Sequence, residues 1–583
     1  MFYICFNKKT TMYKYSILLL FFSNICWSQL QFSNMASGSS LDFSFGAGVY
    51  GGGVSFVDYN NDGWDDLTIA TESGSGIRFF KNIVGTFTED NSIIINDGNL
   101  ENKQIIWVDF DNDDDKDLFL TSKEGTIKLF RNNGNLSFED ISVQAGLTTF
   151  ASSTWGASFG DYNNDGFLDI FLAFLKTGNT QPNALLKNNG NGTFTNVSAS
   201  AGINQINDPT FCAAFFDYNN DGWQDIFVTN HKYDQSYLYK NNGNETFSDV
   251  SDSTGTAISA DGMSSTIGDY NNDGWFDIYI TNSAAGNVHL KNNGNNSFTR
   301  VENQMGTRFS NVSWGAVFLD ADNDSFLDLY VSGQENGTDN LLPSAFYKNN
   351  NNISFYIPNN IGLSNDKRRS FSNAIGDVNN DGFPEIFVVN ENESNFLWKN
   401  ETTLANNWLK VKLVGVESNK DGVGNRIEVF ANGKSQYRYT LCGEGYLAQN
   451  SNHEFFGLAN ATSIDYIKVT WSKTGIVETI SNLDINQAVT IKEGNGVLNT
   501  DSFTKNEVRV FPNPNSNGLF SLSILNNSDI KIISVFDSSG RKIISKTTSK
   551  ITSQINLSNF SAGVYFVNIY SDKRIQTLKI IKN

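Results

Sequence analysis

The chain has 583 residues, more than one hydrophobic core supports, so several domains are expected. Its formal net charge is −20, which excludes the basic face that a nucleic-acid-binding protein needs. Gly is abundant, Pro is scarce and aromatic residues make up 13%, a mixture typical of many short strands joined by tight turns.

Residues 1–28 have the pattern of a signal peptide. Lys9 and Lys14 precede the apolar run Ser16–Phe22, and a small residue ends the segment. The run is too short to span a bilayer and no later segment is long enough either, so no transmembrane segment is predicted. A buried N-terminal strand and lipoprotein processing at Cys26 are the two alternatives.

A nine-residue acidic loop recurs seven times, at intervals of 51 to 57 residues. A repeat this regular indicates an array of similar structural units. Loops one to seven are Asp58–Asp66, Asp109–Asp117, Asp161–Asp169, Asp217–Asp225, Asp269–Asp277, Asp320–Asp328 and Asp377–Glu385. Side-chain oxygens at positions 1, 3, 5 and 9, with a backbone carbonyl at position 7, form a calcium-site pattern.

The predicted calcium ligands are therefore the residues at these five positions of every loop. They are Asp58, Asn60, Asp62, Trp64, Asp66, Asp109, Asp111, Asp113, Asp115, Asp117, Asp161, Asn163, Asp165, Phe167, Asp169, Asp217, Asn219, Asp221, Trp223, Asp225, Asp269, Asn271, Asp273, Trp275, Asp277, Asp320, Asp322, Asp324, Phe326, Asp328, Asp377, Asn379, Asp381, Phe383 and Glu385. About seven structural Ca²⁺ ions are expected. No catalytic residue and no other cofactor is predicted.

Two other interpretations of the loops compete with a calcium site. An EF-hand needs a bidentate Glu at position 12, where this chain has only apolar residues: Ile69, Leu120, Leu172, Val228, Ile280, Val331 and Val388. Asn/Asp turns without metal are the second alternative. Gly at position 6 permits a sharp turn, and Asp114 and Ser325 replace it in loops two and six. Ser tolerates a left-handed backbone less well than Asp, so loop six is expected to be the more strained.

The segments between the loops predict four short strands per unit. An apolar strand follows each loop, the next ends in Lys-Asn or Arg-Asn, an Asn-Gly turn follows, and a third opens on Phe. A fourth strand runs into the next loop, so each unit is a propeller blade. The seventh unit lacks the Phe-led strand. We predict that Leu30–Asn34 completes it and closes a seven-bladed propeller over residues 29–403.

The repeats resemble the FG-GAP/VCBS repeats of integrin-α-like propellers, whose loops have the form D-x-[DN]-x-[DN]-G-x-x-D. The resemblance covers about Gln31–Thr403. It implies an all-β fold, in which calcium rigidifies a hairpin of each blade rather than taking part in catalysis. Binding of calcium to the folded loop alone would then stabilise each blade.

Residues 404–493 do not follow the repeat. Apolar and polar residues alternate along several of their segments, which predicts a small β domain. The runs Asn419–Arg426, Gly443–Ser451 and His453–Gly457 resemble the ASPIC/UnbV domain, which follows FG-GAP repeats in the cartilage acidic protein 1 family. Arg426, Glu444 and His453 can be interpreted as a polar site or as hairpin and turn residues, and we expect the latter.

A linker, residues 494–507, precedes a C-terminal segment, residues 508–583. The motifs Val508–Asn515, Gly518–Phe520 and Leu557–Tyr565 resemble the sorting domain of the type IX (Por) secretion system of Bacteroidota, a β-sandwich. The resemblance implies passage through the periplasm and then the outer membrane, with the type IX machinery as a partner. The protein is expected to be secreted or held on the outer cell surface.

Three functional classes remain open. The first is a binding or adhesion protein for an extracellular protein or glycan, using the loop-rich faces and the central funnel of the propeller. The second is a polysaccharide-active enzyme, a lyase or hydrolase, on a calcium-propeller scaffold, although no known catalytic motif is present. The third is an envelope component without a soluble ligand. We expect the first.

Overall fold

The computed structural model describes residues 30–147, 152–175, 181–203, 207–335, 341–501, 508–511, 513–524, 531–537, 541–548, 552–571 and 574–583. The predicted signal peptide, residues 1–28, lies outside these ranges. Strands dominate the described part, with short helices at Ser251–Thr254, Glu302–Met305 and Leu363–Asn365. No helix in the described ranges is long and apolar enough to cross a membrane.

Seven antiparallel sheets form the blades of the propeller, and each sheet has four blade strands. The innermost strands are β2 Val54–Phe56, β6 Asn102–Val108, β10 Thr154–Gly160, β14 Thr210–Phe216, β18 Ser265–Gly268, β22 Ser313–Leu319 and β26 Ser370–Gly376. The second strands are β3 Leu67–Ile69, β7 Asp117–Ser122, β11 Asp169–Phe174, β15 Asp225–Asn230, β19 Asp277–Ile280, β23 Asp328–Gly333 and β27 Glu385–Asn390. The third strands are β4 Arg78–Asn82, β8 Lys128–Asn132, β12 Ala184–Asn188, β16 Tyr237–Asn241, β20 Val288–Asn292, β24 Ala345–Asn349 and β28 Phe396–Asn400. The outermost strands are β5 Phe87–Glu89, β9 Phe138–Asp140, β13 Phe194–Asn196, β17 Phe247–Asp249, β21 Phe298–Arg300, β25 Phe355–Tyr356 and β1 Phe32–Asn34.

The propeller closes as predicted from the sequence. Strand β1 pairs with β28 in the order β1-β28-β27-β26, so the N-terminal strand supplies the outermost strand of blade seven. Phe32 lies opposite Asn400 and Asn34 opposite Trp398. The inner strands of neighbouring blades contact one another in sequence, and β26 contacts β2. Closure therefore leaves no blade without a neighbour on either side.

Residues that follow the propeller form a second domain of two facing sheets. Its strands are β29 Asn407–Val414, β30 Arg426–Ala431, β31 Lys434–Tyr439, β32 Ala448–Gln449, β33 Glu454–Ala459, β34 Ile464–Thr470, β35 Val477–Leu483, β36 Gln487–Lys492 and β37 Gly496–Asp501. The sheet orders are β33-β29-β36-β37 and β31-β30-β34-β35. Leu409, Val429, Ile467 and Trp471 are buried between the sheets and form a separate core.

The segment predicted as a linker, residues 494–507, begins with a strand. Strand β37 pairs antiparallel with β36 and adds a fourth strand to the sheet. The sequence Gly494–Asn506 is rich in Gly, Asn and Thr, a composition typical of linkers, so the strand was not predicted. Only the part of the segment after Asp501 is left to connect the second and C-terminal domains.

The C-terminal domain is also a two-sheet β structure, as predicted. Its strands are β38 Val508–Phe511, β39 Leu519–Ile524, β40 Lys531–Asp537, β41 Lys542–Thr548, β42 Thr552–Asn556, β43 Gly563–Ser571 and β44 Arg574–Lys582. The sheet orders are β38-β39-β42 and β41-β40-β43-β44. Phe520, Val535, Ile555 and Val567 are buried in its own core.

One part of the second domain, residues 441–450, fills the central channel of the propeller; we call it the channel segment. Its strand β32 pairs parallel to the inner strand β2, with Ala448 opposite Val54. The Gln449 side chain accepts a hydrogen bond from the Trp107 N–H at 2.8 Å and donates one to the Trp107 carbonyl at 2.8 Å. The propeller and the second domain therefore share backbone hydrogen bonds as well as a surface.

Tyr446 anchors the channel segment in an aromatic cluster. The side chain is fully buried and packs with Phe211 and Trp314. Its hydroxyl accepts a hydrogen bond from the Trp155 indole at 3.0 Å and donates one to the Tyr50 carbonyl at 2.8 Å. The expectation of an open funnel for a partner was wrong, because the chain fills that space with its own buried side chains.

Candidate metal centres on the acidic loops

The first carboxylate of every loop organises the backbone of that loop. In loop one, the Asp58 carboxylate accepts hydrogen bonds from the N–H groups of Asp62 at 3.0 Å and Gly63 at 2.8 Å. The same pair of bonds, to positions 5 and 6, recurs in the other six loops. The aromatic or acidic residue at position 7 donates its N–H to the position 5 carboxylate in all seven loops. The side chains therefore hold the loop in one conformation.

Position 6 has a left-handed backbone in every loop, as the sequence predicts. The φ angle is 72° at Asp114 and 81° at Ser325, against 86° at Gly63. Asn at position 4 is also left-handed in all seven loops, which the sequence analysis did not anticipate. Asn is the non-glycine residue that adopts this conformation most readily, so its recurrence there has a steric cause.

The last carboxylate of every loop is buried at the start of the second blade strand. Asp66 and Asp117 are fully buried, and each accepts a hydrogen bond at 2.8 Å from the N–H of the Asn that ends the third strand. Burial, with the charge of the nearby first-position Asp58, raises the pKa of Asp66 to about 9. Burial likewise raises the pKa of Asp117 to about 9. Buried carboxylates of this kind are costly to ionise unless a cation neutralises them.

The residues of loop two fit a calcium ion. Carboxylate oxygens of Asp109, Asp111 and Asp117 lie within 4.8 Å of one another. That is about twice a Ca²⁺–oxygen distance, so one ion reaches all three. One oxygen of Asp111 is buried with no hydrogen-bond partner, as a ligand oxygen would be. In loops three, four and seven, the side-chain NH₂ of the position 3 Asn donates a hydrogen bond to the position 5 Asp at 2.8 Å. Rotating this amide by 180° exchanges its nitrogen and oxygen, and the oxygen then faces the ion site.

Loop six differs from the others because a single lysine contacts three of its predicted ligands, whereas Lys81 at loop one and Lys410 at loop seven each pair with one. Oxygens of Asp320, Asp322 and Asp328 lie within 4.8 Å of one another. The Lys348 ammonium is 3.0 Å from Asp322 and 3.1 Å from Asp328, and it also reaches Asp324 at 2.7 Å. A calcium ion at this loop has to displace the ammonium, so its affinity is expected to be lower than at the other loops.

A second set of asparagines joins the blades, and sequence reasoning missed its role. These residues end the third strand of each blade, in the repeated Lys-Asn or Arg-Asn pair. Asn241 donates its buried amide to the Tyr162 carbonyl of the preceding blade at 2.7 Å and to the Gln224 carbonyl at 2.9 Å. Asn82, Asn188, Asn292, Asn349 and Asn400 make the same bond to position 2 of the preceding blade's loop. Recurrence of Asn at this position was visible in the sequence, but its partner in another blade was not.

The position 4 asparagines add a ring of hydrogen bonds between neighbouring loops. Asn112 donates its amide to the Gly166 carbonyl at 2.9 Å, and Asn380 donates to the Gly63 carbonyl at 3.0 Å across the closure of the propeller. The same bond is present from loops three, four, five and six. Loop conformation is thereby coupled from blade to blade.

The second domain covers the face of the propeller that carries the acidic loops. It makes at least one polar contact with every loop. Ser451 contacts Asp65 of loop one, Asp421 contacts Lys116 and the Asp109 N–H of loop two, and Lys473 contacts the Asp165 carbonyl of loop three. Arg426 contacts both Asn220 of loop four and the Gly274 carbonyl of loop five. Asn406 contacts the Asp322 carbonyl of loop six, and Lys410 contacts Asp377 of loop seven. The Lys410–Asp377 ion pair is buried, at 2.9 Å. The loops therefore lie in an interface within the chain.

Close backbone approach explains one glycine of this interface. A Cβ atom at Gly457 would lie 2.0 Å from an Asp320 oxygen and 2.4 Å from the Asn323 backbone. Any side chain there would push β33 away from loop six. This glycine ends the run His453–Gly457, which resembles the ASPIC/UnbV domain. Its close approach to loop six explains why that run has a glycine at this position.

The three residues weighed as a polar site do not come together. Arg426 lies against loops four and five, whereas Glu444 and His453 line a cavity between the channel segment and blades five to seven. Arg438, which the sequence analysis did not select, lies in the same cavity. Glu444 begins a turn that closes at Ala448 and His453 lies in a bend, as expected; both also line the cavity, and neither is a partner of Arg426.

Family models match three parts of the chain. The FG-GAP-like repeat matches residues 58–120, 109–172, 162–228, 217–280 and 269–331. The ASPIC and UnbV model matches residues 415–498, and the secretion system C-terminal sorting domain matches residues 509–583. The three resemblances seen in the sequence are confirmed. The sorting domain assigns the protein to type IX export, to the outer cell surface or the medium.

Curated relatives and solved structures show weaker similarity. Cartilage acidic protein 1 of Xenopus tropicalis is 22% identical over 461 residues, which cover 72% of this chain and 70% of that protein. The mouse protein of the same name is 25% identical over 238 residues, 38% of this chain and 34% of that protein. The matched part thus spans about a third of the mouse relative's length. The complex of BBS1N with ARL6DN has a TM-score of 0.36 at 12% identity, covering 62% of this chain and 97% of that chain. AofleA from Arthrobotrys oligospora has a TM-score of 0.32 at 11% identity, covering 54% and 86%.

Proposed function

We propose that this chain is a calcium-stabilised binding or adhesion protein of the cell surface or medium. It is exported, and it combines FG-GAP-like repeats with an ASPIC/UnbV domain and a sorting domain. Its calcium is structural, and its partner is an extracellular protein or glycan. One observation carries the proposal: the second domain contacts all seven acidic loops and fills the channel. The loop face and the channel are therefore largely occupied by the chain itself, which favours the opposite face for a partner.

The position of the loops supports a structural role for calcium. Each ion neutralises buried carboxylates next to a blade-to-blade hydrogen bond, such as Asn112 to Gly166 in loops two and three. Cations of the second domain, including Lys410, contact the same loops. Removal of calcium leaves the carboxylates repelling one another in the interface, so the blades and the second domain lose stability together. Sites of extracellular modules typically bind calcium at ~10⁻⁴–10⁻³ M.

The opposite face of the propeller is the proposed binding surface. Val49, Tyr50, Tyr233 and Leu342 lie on connections at that face, and each is exposed. Tyr50 is 42% exposed yet packs over Trp314 with ring centroids 5.2 Å apart. Exposed aromatic side chains fixed by a rigid base are frequent anchors of protein and glycan partners.

The test is binding of the calcium-loaded, full-length protein to a glycan array and to extracellular proteins of the same envelope. Tyr50→Ala and Tyr233→Ala are expected to reduce binding at least tenfold, because hot-spot aromatics contribute ~2 kcal/mol or more. Tyr356→Ala is the matched control, since this exposed tyrosine lies on the outermost strand of blade six, away from that face. Equal loss in all three variants would reject the proposed surface. Cleavage of a polysaccharide in the same screen would favour the enzyme alternative.

A further inference from the structure

A small cavity lies where the channel segment and the second domain meet blades five to seven. Its volume is about 70 Å³, and a buried water needs at least ~10–15 Å³ on the same measure. The propeller side is mainly apolar, with Ile267, Phe318 and Ile375. The second-domain side is polar. The cavity thus has room for a small molecule whose polar groups face one wall.

Arg438 is the cation of the polar wall. Its guanidinium makes no ion pair among the described residues, and the charges of Glu454, Asp320 and Asp269 act on it from beyond ion-pair distance. The side chain is 9% exposed, and Cζ lies 4.9 Å from the centre of the Phe456 ring. In the part of the chain that the structure describes, its side-chain hydrogen bond goes to the Tyr437 carbonyl at 2.9 Å. Within the described ranges, no carboxylate oxygen lies within 4.0 Å of it. A buried guanidinium with free donors needs an acceptor, and the cavity is where one fits.

Two more groups of the same wall have unused hydrogen-bonding capacity. Nδ1 of His453 is buried with no hydrogen-bond partner in the described residues. Burial lowers the pKa of His453 well below its usual range, so the ring is neutral and presents one N–H. Burial, with the charge of Glu444, raises the pKa of Glu454 to about 8, which makes this carboxyl a hydrogen-bond donor at neutral pH.

The donors of the wall favour an anion over a cation. Burial raises the pKa of Glu444 to about 7 and that of Glu454 to about 8, so both carboxyls hold a proton more readily than exposed ones do. In the described ranges, clusters of three carboxylates that could hold a metal ion lie at loops two and six, and of these residues only Asp320 lines the cavity. A cation would also face the Arg438 guanidinium. The Asp320 carboxylate at the cavity's edge is already held by the N–H groups of Asp324 and Ser325. An anion, in contrast, receives hydrogen bonds from a guanidinium and an imidazole.

We propose that this cavity binds one small oxyanion, of carboxylate or phosphate chemistry, held by the guanidinium of Arg438 and the imidazole of His453. The ligand bridges the two domains, because its apolar flank contacts propeller residues such as Phe318 and Ile375. A bound oxyanion thereby stabilises the docking of the second domain. The site is separate from the exposed face proposed above for a partner.

Isothermal titration of the calcium-loaded, full-length protein with sodium acetate and, separately, with methyl phosphate, which leaves calcium in solution, tests the site. We expect one saturable event per chain with at least one probe, and the probe that binds identifies the class of oxyanion. Arg438→Met removes the charged donor but keeps most of the contact with Phe456, and it should weaken binding ~10–100-fold. His453→Phe keeps the ring volume and should also weaken binding.

Arg426→Met is the control, because that guanidinium contacts loops four and five outside the cavity. It should leave the affinity unchanged. Absence of saturable binding with both probes would mean that water alone fills the cavity, and the proposal would be wrong. Binding that survives both Arg438→Met and His453→Phe would place the ion elsewhere and reject the site as well. Folding of each variant is checked by its thermal transition before titration.

Discussion

Asn241→Ala isolates the hydrogen bonds that join one blade to the next. The side chain is 1% exposed and makes three bonds: its amide donates to the Tyr162 carbonyl at 2.7 Å and to the Gln224 carbonyl at 2.9 Å, and its oxygen accepts the Gly243 N–H at 2.9 Å. Each lost bond costs about 1 kcal/mol, and each buried carbonyl left unpaired costs about 1–3 kcal/mol. The carbonyls keep other contacts, so we expect a loss of about 3–5 kcal/mol in the free energy of unfolding.

Asn242→Ala is the matched control for this measurement. The neighbouring Asn242 is exposed, and its amide bonds the Thr246 hydroxyl at 3.0 Å, a bond that water replaces. Its truncation should change stability by less than about 0.5 kcal/mol. Urea unfolding followed by tryptophan fluorescence, at saturating calcium, gives both values. A loss below about 1 kcal/mol for Asn241→Ala, or equal losses for the two variants, would refute the role of the strand-end asparagine.

Three further outcomes follow from the site and the tail. In calcium-free protein, stability should fall as pH rises between about 4 and 9, because folded Asp66 and Asp117 keep protons that the unfolded chain has lost. The rise in melting temperature on adding calcium should accordingly be larger at pH 8 than at pH 5.5; an equal or smaller rise at pH 8 contradicts this. Lys348→Met should strengthen calcium binding at loop six in a calorimetric titration, whereas Lys291→Met, 3.5 Å from Asp273 in loop five, should have little effect. Deletion of residues 508–583 should trap the protein in the periplasm, and normal export of the truncated chain would reject the sorting assignment.

The blade architecture was predictable because its signals are local and repeated. The acidic loop, the apolar strand after it and the Asn-Gly turn all lie within one unit, so seven copies fix the strand order of every blade. Even the closure was visible, since a missing Phe-led strand at the end matched the surplus strand Leu30–Asn34 at the start. The structure pairs β1 with β28 as this argument requires.

The placement of the second domain was not predictable from the sequence. Gln449 hydrogen-bonds Ser55, 394 residues earlier, and Arg426 reaches Asn220, 206 residues earlier. No local pattern encodes such contacts, because the same residues are also typical of solvated hairpins. The motif Gly443–Ser451 stood out in the sequence, but only the structure shows that it fills the channel. Arg438 carried no motif at all and gains its significance from burial alone.

The central claim is that the seven acidic loops hold structural calcium. Equilibrium dialysis of the full-length protein against about 5 mM calcium, followed by metal analysis, tests it most directly, because this concentration exceeds the dissociation constants of extracellular sites. We expect close to seven calcium ions per chain, with loop six filling last, and a lower melting temperature after chelation. One ion or none per chain, or an unchanged melting temperature after chelation, would contradict the account.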